Sequence, residues 1–471
     1  MILPVREGHT LDPDTNTNRD LDPSNVRIPA VGGLESIQAV EVASSNRPRW
    51  VVALVVFLGA LAVYLPTATY DDLQINDSQA TAISAWSLGE HGTLVLPEIW
   101  LDVPWRSVTT AGDQVTNRFP GTIAWGAAFY ALTPGSADPQ RAHDVPFGPA
   151  GVAAALAAAL VVSGMFLALD GVVTRPVAIG ASLLLGFATG TWTVSADSLF
   201  THGPAQLAFV LALLAFRYDR LWLAGLAMGG AITTRPTLAV AALLCGLWLG
   251  AVRRSLRPVV AIGLSSSLGL LSVSLYSWAL FGRWLPRAGY RAGASGGELS
   301  ILERVVGTDD SPALWENLWN TLLHPQRGIL IYSSFLVVLV FGLRRGWRGS
   351  PDWGRASAIA GVAVLLAHLL VLPNSFHGGN DFFGYRVPLE MLTLATPLLA
   401  AAAERAMLTS RLARRALAIT AVGSLAAFSL GATIADPRLH REAEYRQYIA
   451  ELGPHGEGFD PDGVGYDAGN P

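Results

Sequence analysis

Three carboxylates, Asp71, Asp72 and Asp77, stand within seven residues and are followed by Ser78 and Gln79. The run 80–88 behind them reads as helix and ends at Gly89. A carboxylate presented beside a long structured loop can serve as a general base for an attacking hydroxyl. Asp and Ser at a helix start are also ordinary N-caps, so composition leaves both uses open. Further along the chain, Arg235, Arg327 and Arg386 each fall within two residues of Pro or Gly at the edge of an apolar block. Arg118, Asp113, His202, His324, His377 and Tyr385 occupy similar turns and complete the set that could contact a polar substrate. All 32 basic residues are arginine. Any anion must therefore be held by Arg, His or backbone N–H groups, and the planar fork of Arg suits phosphate. There is no phosphate-binding glycine loop, zinc-protease helix or serine elbow. His91, Glu90 and Asp102 lack close metal-ligand spacing. No cofactor is expected, although a divalent metal stays open.

These residues must be positioned by membrane-spanning helices. The chain is 51% hydrophobic and 14% charged, with a mean hydropathy of +0.39. Soluble domains carry about 25% charged residues. The excess comes in blocks such as 50–66, 145–169 and 259–281, and a helical span needs roughly 20 apolar residues. The net charge of −4 says little about partners, while the lack of a basic tail or patch argues against nucleic acid. Cys245 alone allows no intrachain disulfide.

Eleven spans are expected, near 50–67, 145–169, 176–194, 200–216, 220–234, 237–251, 258–281, 328–343, 356–373, 386–403 and 416–434. Residues 1–48 read as a disordered cytoplasmic tail, 49–435 as the transmembrane domain and 436–471 as a non-cytoplasmic tail. With the N-terminus inside, every cytoplasmic connection carries arginine, as the positive-inside rule requires. The short apolar stretch 119–132 is then an interfacial helix rather than a span. Arg235-Pro236 divides 221–250 into two spans, because a charge and a proline at mid-membrane are costly. The two large loops, 68–144 and 282–327, share the non-cytoplasmic face with the candidate residues. His368, within a span, reads as structural, and Asp197 as a residue that satisfies a turn.

The first loop resembles that of the GT-C glycosyltransferases, especially the aminoarabinose-transferase and protein-O-mannosyltransferase branch. The resemblance rests on Asp77, the helical run after it, the 92–97 segment ending at Pro97, and Arg118-Phe119-Pro120-Gly121. His324-Pro325-Gln326-Arg327-Gly328 and the 377–388 loop, with Gly378-Gly379, Gly384-Tyr385-Arg386 and Pro388, are also similar to segments of that superfamily. Ser78 stands where the family has a second acid, a departure that bears on any role of that acid, metal assistance included. The resemblance implies an all-α polytopic integral membrane protein with interfacial helices in a large first outer loop. It implies inverting transfer of a sugar from a polyprenyl-phosphate donor to a glycan, lipid or protein acceptor at the outer face of the plasma membrane. Asp77 would be the base, with Asp71 and Asp72 as fallbacks. Arg235, Arg327 and Arg386 would hold the lipid phosphate. A transporter or flippase, a lipid-linked glycan polymerase or ligase, and a non-catalytic scaffold are the competing expectations.

Overall fold

The structure is a computed structural model that describes residues 48–70, 76–96, 106–133, 145–285, 305–307, 313–371 and 382–434. Asp71, Asp72 and His377 lie outside the described residues. The architecture is all-helical and polytopic, apart from one two-stranded hairpin.

Among the described residues, seven helical stretches are long and apolar enough to cross a membrane. They are α1 (Arg49–Thr67), α4 (Gly148–Leu169), α8 (Ala239–Arg253, extended by a 3₁₀ turn from Pro236), α9 (Arg257–Phe281), α14 (Asp352–Val371), α15 (Leu389–Thr409) and α16 (Arg411–Thr433). Two shorter apolar helices are α5 (Arg175–Phe187) and α7 (Leu221–Thr234), and α6 (His202–Arg217) lies between them in sequence. The expected spans near 176–194 and 328–343 differ from the observed elements. The first stops at Phe187 and passes into a π-helical turn, Thr191–Ser195. The second is broken into α11 (Ile329–Tyr332), α12 (Phe335–Val340) and α13 (Leu343–Gly349). Ser333 marks one break, where its hydroxyl leaves the helix to bond the Ala188 carbonyl.

Small residues set the packing. α4 is alanine-rich, and 72% of its most apolar window is buried, against 22% for α1 and α16, so α4 is central and they are peripheral. A side chain at Gly269 of α9 would collide with the backbone of Gly229 on α7, and one at Gly225 with Ile262. Contacts this close need two glycines and hold helices together where water-driven burial is absent. Gly246 and Gly250 of α8 instead meet Val259 at the start of α9. Thus α7 runs alongside α9 in the same direction, whereas α8 runs back, and the chain reverses at Arg235.

One end of the bundle gathers arginines: Arg253 pairs with Asp219, Arg345 bonds Thr409, and Arg405 lies against Gly349. The opposite end carries the first loop. There α2 (Asn76–His91) packs on α3 (Pro120–Ala131). Pro120 occupies the first turn of α3, where its missing N–H costs nothing. The hairpin β1 (Arg106–Val108) and β2 (Gln114–Thr116) is antiparallel, with Ser107 opposite Val115. Its turn leans on α9 through Thr110 N–H, which donates to the Leu280 carbonyl at 2.9 Å. Amphipathic α10 (Leu314–Leu323) sits in the second loop, with Trp315 and Trp319 exposed and Asn317 and Thr321 buried.

Candidate active site

The first turn of α2 presents Asp77, and each of its carboxylate oxygens receives a different arginine. Arg118 Nη2 lies 2.8 Å from Oδ1, and Arg386 Nη1 donates to Oδ2 at 2.6 Å. Arg118 comes from the segment that opens α3, and its carbonyl accepts the Tyr276 hydroxyl at 3.1 Å. Arg386 comes from the stretch before α15 and lies 5.3 Å from the Phe382 ring and 5.8 Å from the Phe200 ring. Gly384 carries a φ of +79°, a left-handed backbone that suits glycine, and a side chain there would meet Phe428.

Arg235 stands behind this pair. Its backbone is extended ahead of Pro236, as a residue before proline prefers. Nη2 donates to Thr201 Oγ1 at 2.9 Å, and Nη1 lies 4.0 Å from Glu390 Oε1. Glu390 Oε1 also faces His202 Nδ1 at 2.8 Å, with both side chains buried. One turn further on, Gln206 Nε2 donates to Thr191 at 3.0 Å and Thr393 at 2.9 Å, and Ser195 donates to Gln206 Oε1 at 2.6 Å. His202 and Gln206 are four apart on α6, and Glu390 and Thr393 three apart on α15. Each pair shares a helix face, and the two faces meet in one polar seam. Glu390 Oε2 has no hydrogen-bond partner among the described residues. His368 Nε2 faces Thr237 Oγ1 at 3.0 Å beside the Arg235 turn.

Electrostatics follow from this geometry. Desolvation by itself would raise the Asp77 pKa. The charges of Arg118 and Arg386, the hydrogen bond from Arg386 and the charge of Arg235 outweigh it. They hold the carboxyl well below the usual carboxylate range, so Asp77 is ionised at physiological pH. Among the described residues, the carboxylates of Asp77 and Glu390 pair with three guanidiniums, those of Arg118, Arg235 and Arg386, an excess of one positive charge within this group when His202 is neutral. Such a site can receive a singly charged anion and offers a carboxylate to a proton.

The remaining candidates are distributed as follows. Arg327 is buried, and its guanidinium donates to the carbonyls of Phe382 at 2.8 Å and Gly384 at 3.0 Å. It lies 4.2 Å from the Phe382 ring and so fastens the loop that carries Arg386. Tyr385 is buried, with its hydroxyl on Ser333. His324 caps α10, and its Nδ1 accepts Gln326 N–H at 3.2 Å. Asp113 is exposed in the hairpin turn. Asp197 stitches the end of α1 to the π-turn segment, accepting Thr69 Oγ1 at 3.0 Å. Glu390 was not singled out from sequence. Its one signal is a lone carboxylate inside an apolar block, where ionisable groups are costly and mark function. Among the described residues, no group of three or more metal-type ligands occurs.

An apolar cavity of about 250 Å³ runs between α5, α12, α15 and α16, lined by Val177, Leu184, Phe335, Leu339, Leu399 and Leu417. Thr189 also lines it, one residue before Gly190, whose Cα packs against the Tyr385 backbone.

No family model and no curated protein matches the chain. Among solved structures it is similar to ArnT from Cupriavidus metallidurans bound to undecaprenyl phosphate, with a TM-score of 0.51 and 15% identity over 86% of this chain and 80% of that one. The likeness is one of fold: the chain shares the polytopic helical architecture of ArnT.

Proposed function

We propose that this protein is an inverting glycosyltransferase that moves a sugar from a polyprenyl-phosphate donor to a hydroxyl of an envelope acceptor. The observation that carries the reading is the Asp77 carboxylate held between Arg118 and Arg386, with Arg235 behind it, at the loop-bearing end of a GT-C bundle. In the reaction, the acceptor oxygen attacks the anomeric carbon as its proton passes to Asp77. The bond from that carbon to the phosphate oxygen breaks, and its electron pair leaves on the lipid phosphate. Charge developing there needs fixed donors, which Arg118, Arg235 and Arg386 supply. Attack opposite the leaving group inverts the configuration.

The arginines that bind the phosphate are those that suppress the basicity of Asp77. A donor phosphate that competes for them loosens the carboxylate and raises its pKa toward the range in which a base works. The apolar cavity suits a prenyl tail, and its Thr189 end lies near the Tyr385–Arg386 stretch. Charged groups gather at the end of the bundle rather than midway along the spans, which favours an enzyme over a transporter. The arginine-rich end would face the cytoplasm, with the site and the C-terminus on the other side of the plasma membrane. The acceptor is a glycan, lipid or protein.

The test is Asp77→Asn. A general base contributes about 10²–10⁴ in rate, so transfer should fall by that range while the protein stays folded and still binds polyprenyl phosphate. Undiminished transfer by the folded variant would remove Asp77 as the base and turn attention to Asp71 and Asp72.

A further inference from the structure

Glu390 has no part in the chemistry just described, yet it is the most enclosed carboxylate of the cluster. Its side chain is 1% exposed, one oxygen bonds His202, and the other has no partner among the described residues. Taking a carboxylate out of water is costly, and an apolar residue of similar volume often serves stability better. An acid at a helix start also gains from the helix dipole, but an exposed one gains that without the desolvation cost. Glu390 lies 4.0 Å from Arg235, and the Arg235 charge reaches both Glu390 and Asp77.

We infer that Glu390 is a positioning and charge-balancing residue: it holds Arg235 in place and removes one unit of positive charge from the site, matching a phosphodiester donor rather than a phosphomonoester product. This rests on the polyprenyl-phosphate reading above. A sugar phosphodiester carries one negative charge. The lipid monophosphate released by transfer carries about 1.5–2 near neutral pH. Three arginines against Asp77 alone would suit the product better than the substrate and would retard its release. With Glu390 ionised, the balance tips back toward the donor, and the product leaves a site that is short of positive charge for it.

The experiment measures dissociation constants of farnesyl phosphate and of its methyl phosphodiester for the full chain in detergent, at pH about 8, where the monoester is a dianion. Glu390→Gln keeps an acceptor for His202 and removes the charge. It should shift the ratio of the two constants toward the monoester by on the order of tenfold, as one extra unit charge across a short, partly buried distance would do. Glu390→Asp should restore the wild-type ratio. Arg235→Gln should shift it the opposite way, and serves if Glu390→Gln does not fold. A ratio unmoved in folded Glu390→Gln, or moved toward the monoester in Arg235→Gln, overturns the inference while leaving the donor reading intact. Wild-type protein that binds neither amphiphile overturns both.

Discussion

At the scale of the residue, the feature to explain is a carboxylate, the proposed base, held ionised but weakly basic. Arg118 and Arg386 make Asp77 a carboxylate at all working pH, at the cost of driving force for proton abstraction. Removing one of them separates the effects. Arg386→Gln should raise the donor KM by about tenfold or more, the scale of one charge-assisted hydrogen bond. It should also let Asp77 rise toward its ordinary value, so the acid limb of kcat/KM moves to higher pH. The sign for stability is the same. The folded-state pKa is depressed, so the ion pairs contribute above the unfolded-state value and are lost as pH falls through the folded-state one. Acid unfolding of Arg386→Gln should therefore show a smaller pH dependence below pH about 4, near the reference Asp pKa. Asp77, Arg118, Arg235 and Arg386 were legible in the sequence because each sits at a turn or helix edge, where polar groups of membrane proteins collect. Glu390 was hidden because it is one acid in a block otherwise rich in Leu, Thr and Ala, and its partners His202 and Arg235 are more than 150 positions away in sequence.

At the scale of the element, the stretch before α15 is what brings Arg386 to Asp77, and Arg327 fastens it. Arg327→Met strands the carbonyls of Phe382 and Gly384 in a buried setting, at about 1–3 kcal/mol each. Unfolding of the purified protein should show a loss of that order, and donor KM should rise because Arg386 loses its frame. Arg327→Lys should recover little, since one ammonium lacks the planar fork that reaches both carbonyls. Sequence placed Arg327 at a helix start near the site but could not tell a phosphate ligand from a loop anchor, because the carbonyls it binds are about 55 residues away. The break of the 328–343 block into three helices was equally hidden. Its apolar run reads as a span, and what marks the first break is Ser333 bonding Ala188, a contact across 145 positions. By contrast, the Arg235-Pro236 reversal was legible, since proline and a charge in an apolar block act locally.

At the scale of the molecule, composition alone announced a polytopic helical membrane protein, because few charges and long apolar blocks admit little else. The proposed orientation rests on arginine bias, and it can be checked directly. In a Cys245→Ser background, Asp113→Cys in the hairpin turn should react with a membrane-impermeant maleimide in intact cells. Ser255→Cys, at the exposed arginine-rich end, should react only after lysis. The reverse pattern would place the site on the cytoplasmic side. The central claim, that this bundle transfers a sugar from a lipid phosphate using Asp77, is tested most directly by the lipid-linked sugar pool. That pool should be extracted and measured in cells whose only copy carries Asp77→Asn, beside a deletion strain and wild type. One polyprenyl-phosphate sugar should accumulate equally in the variant and the deletion, with normal levels of the variant in the membrane. A pool identical to wild type in both strains would contradict the account.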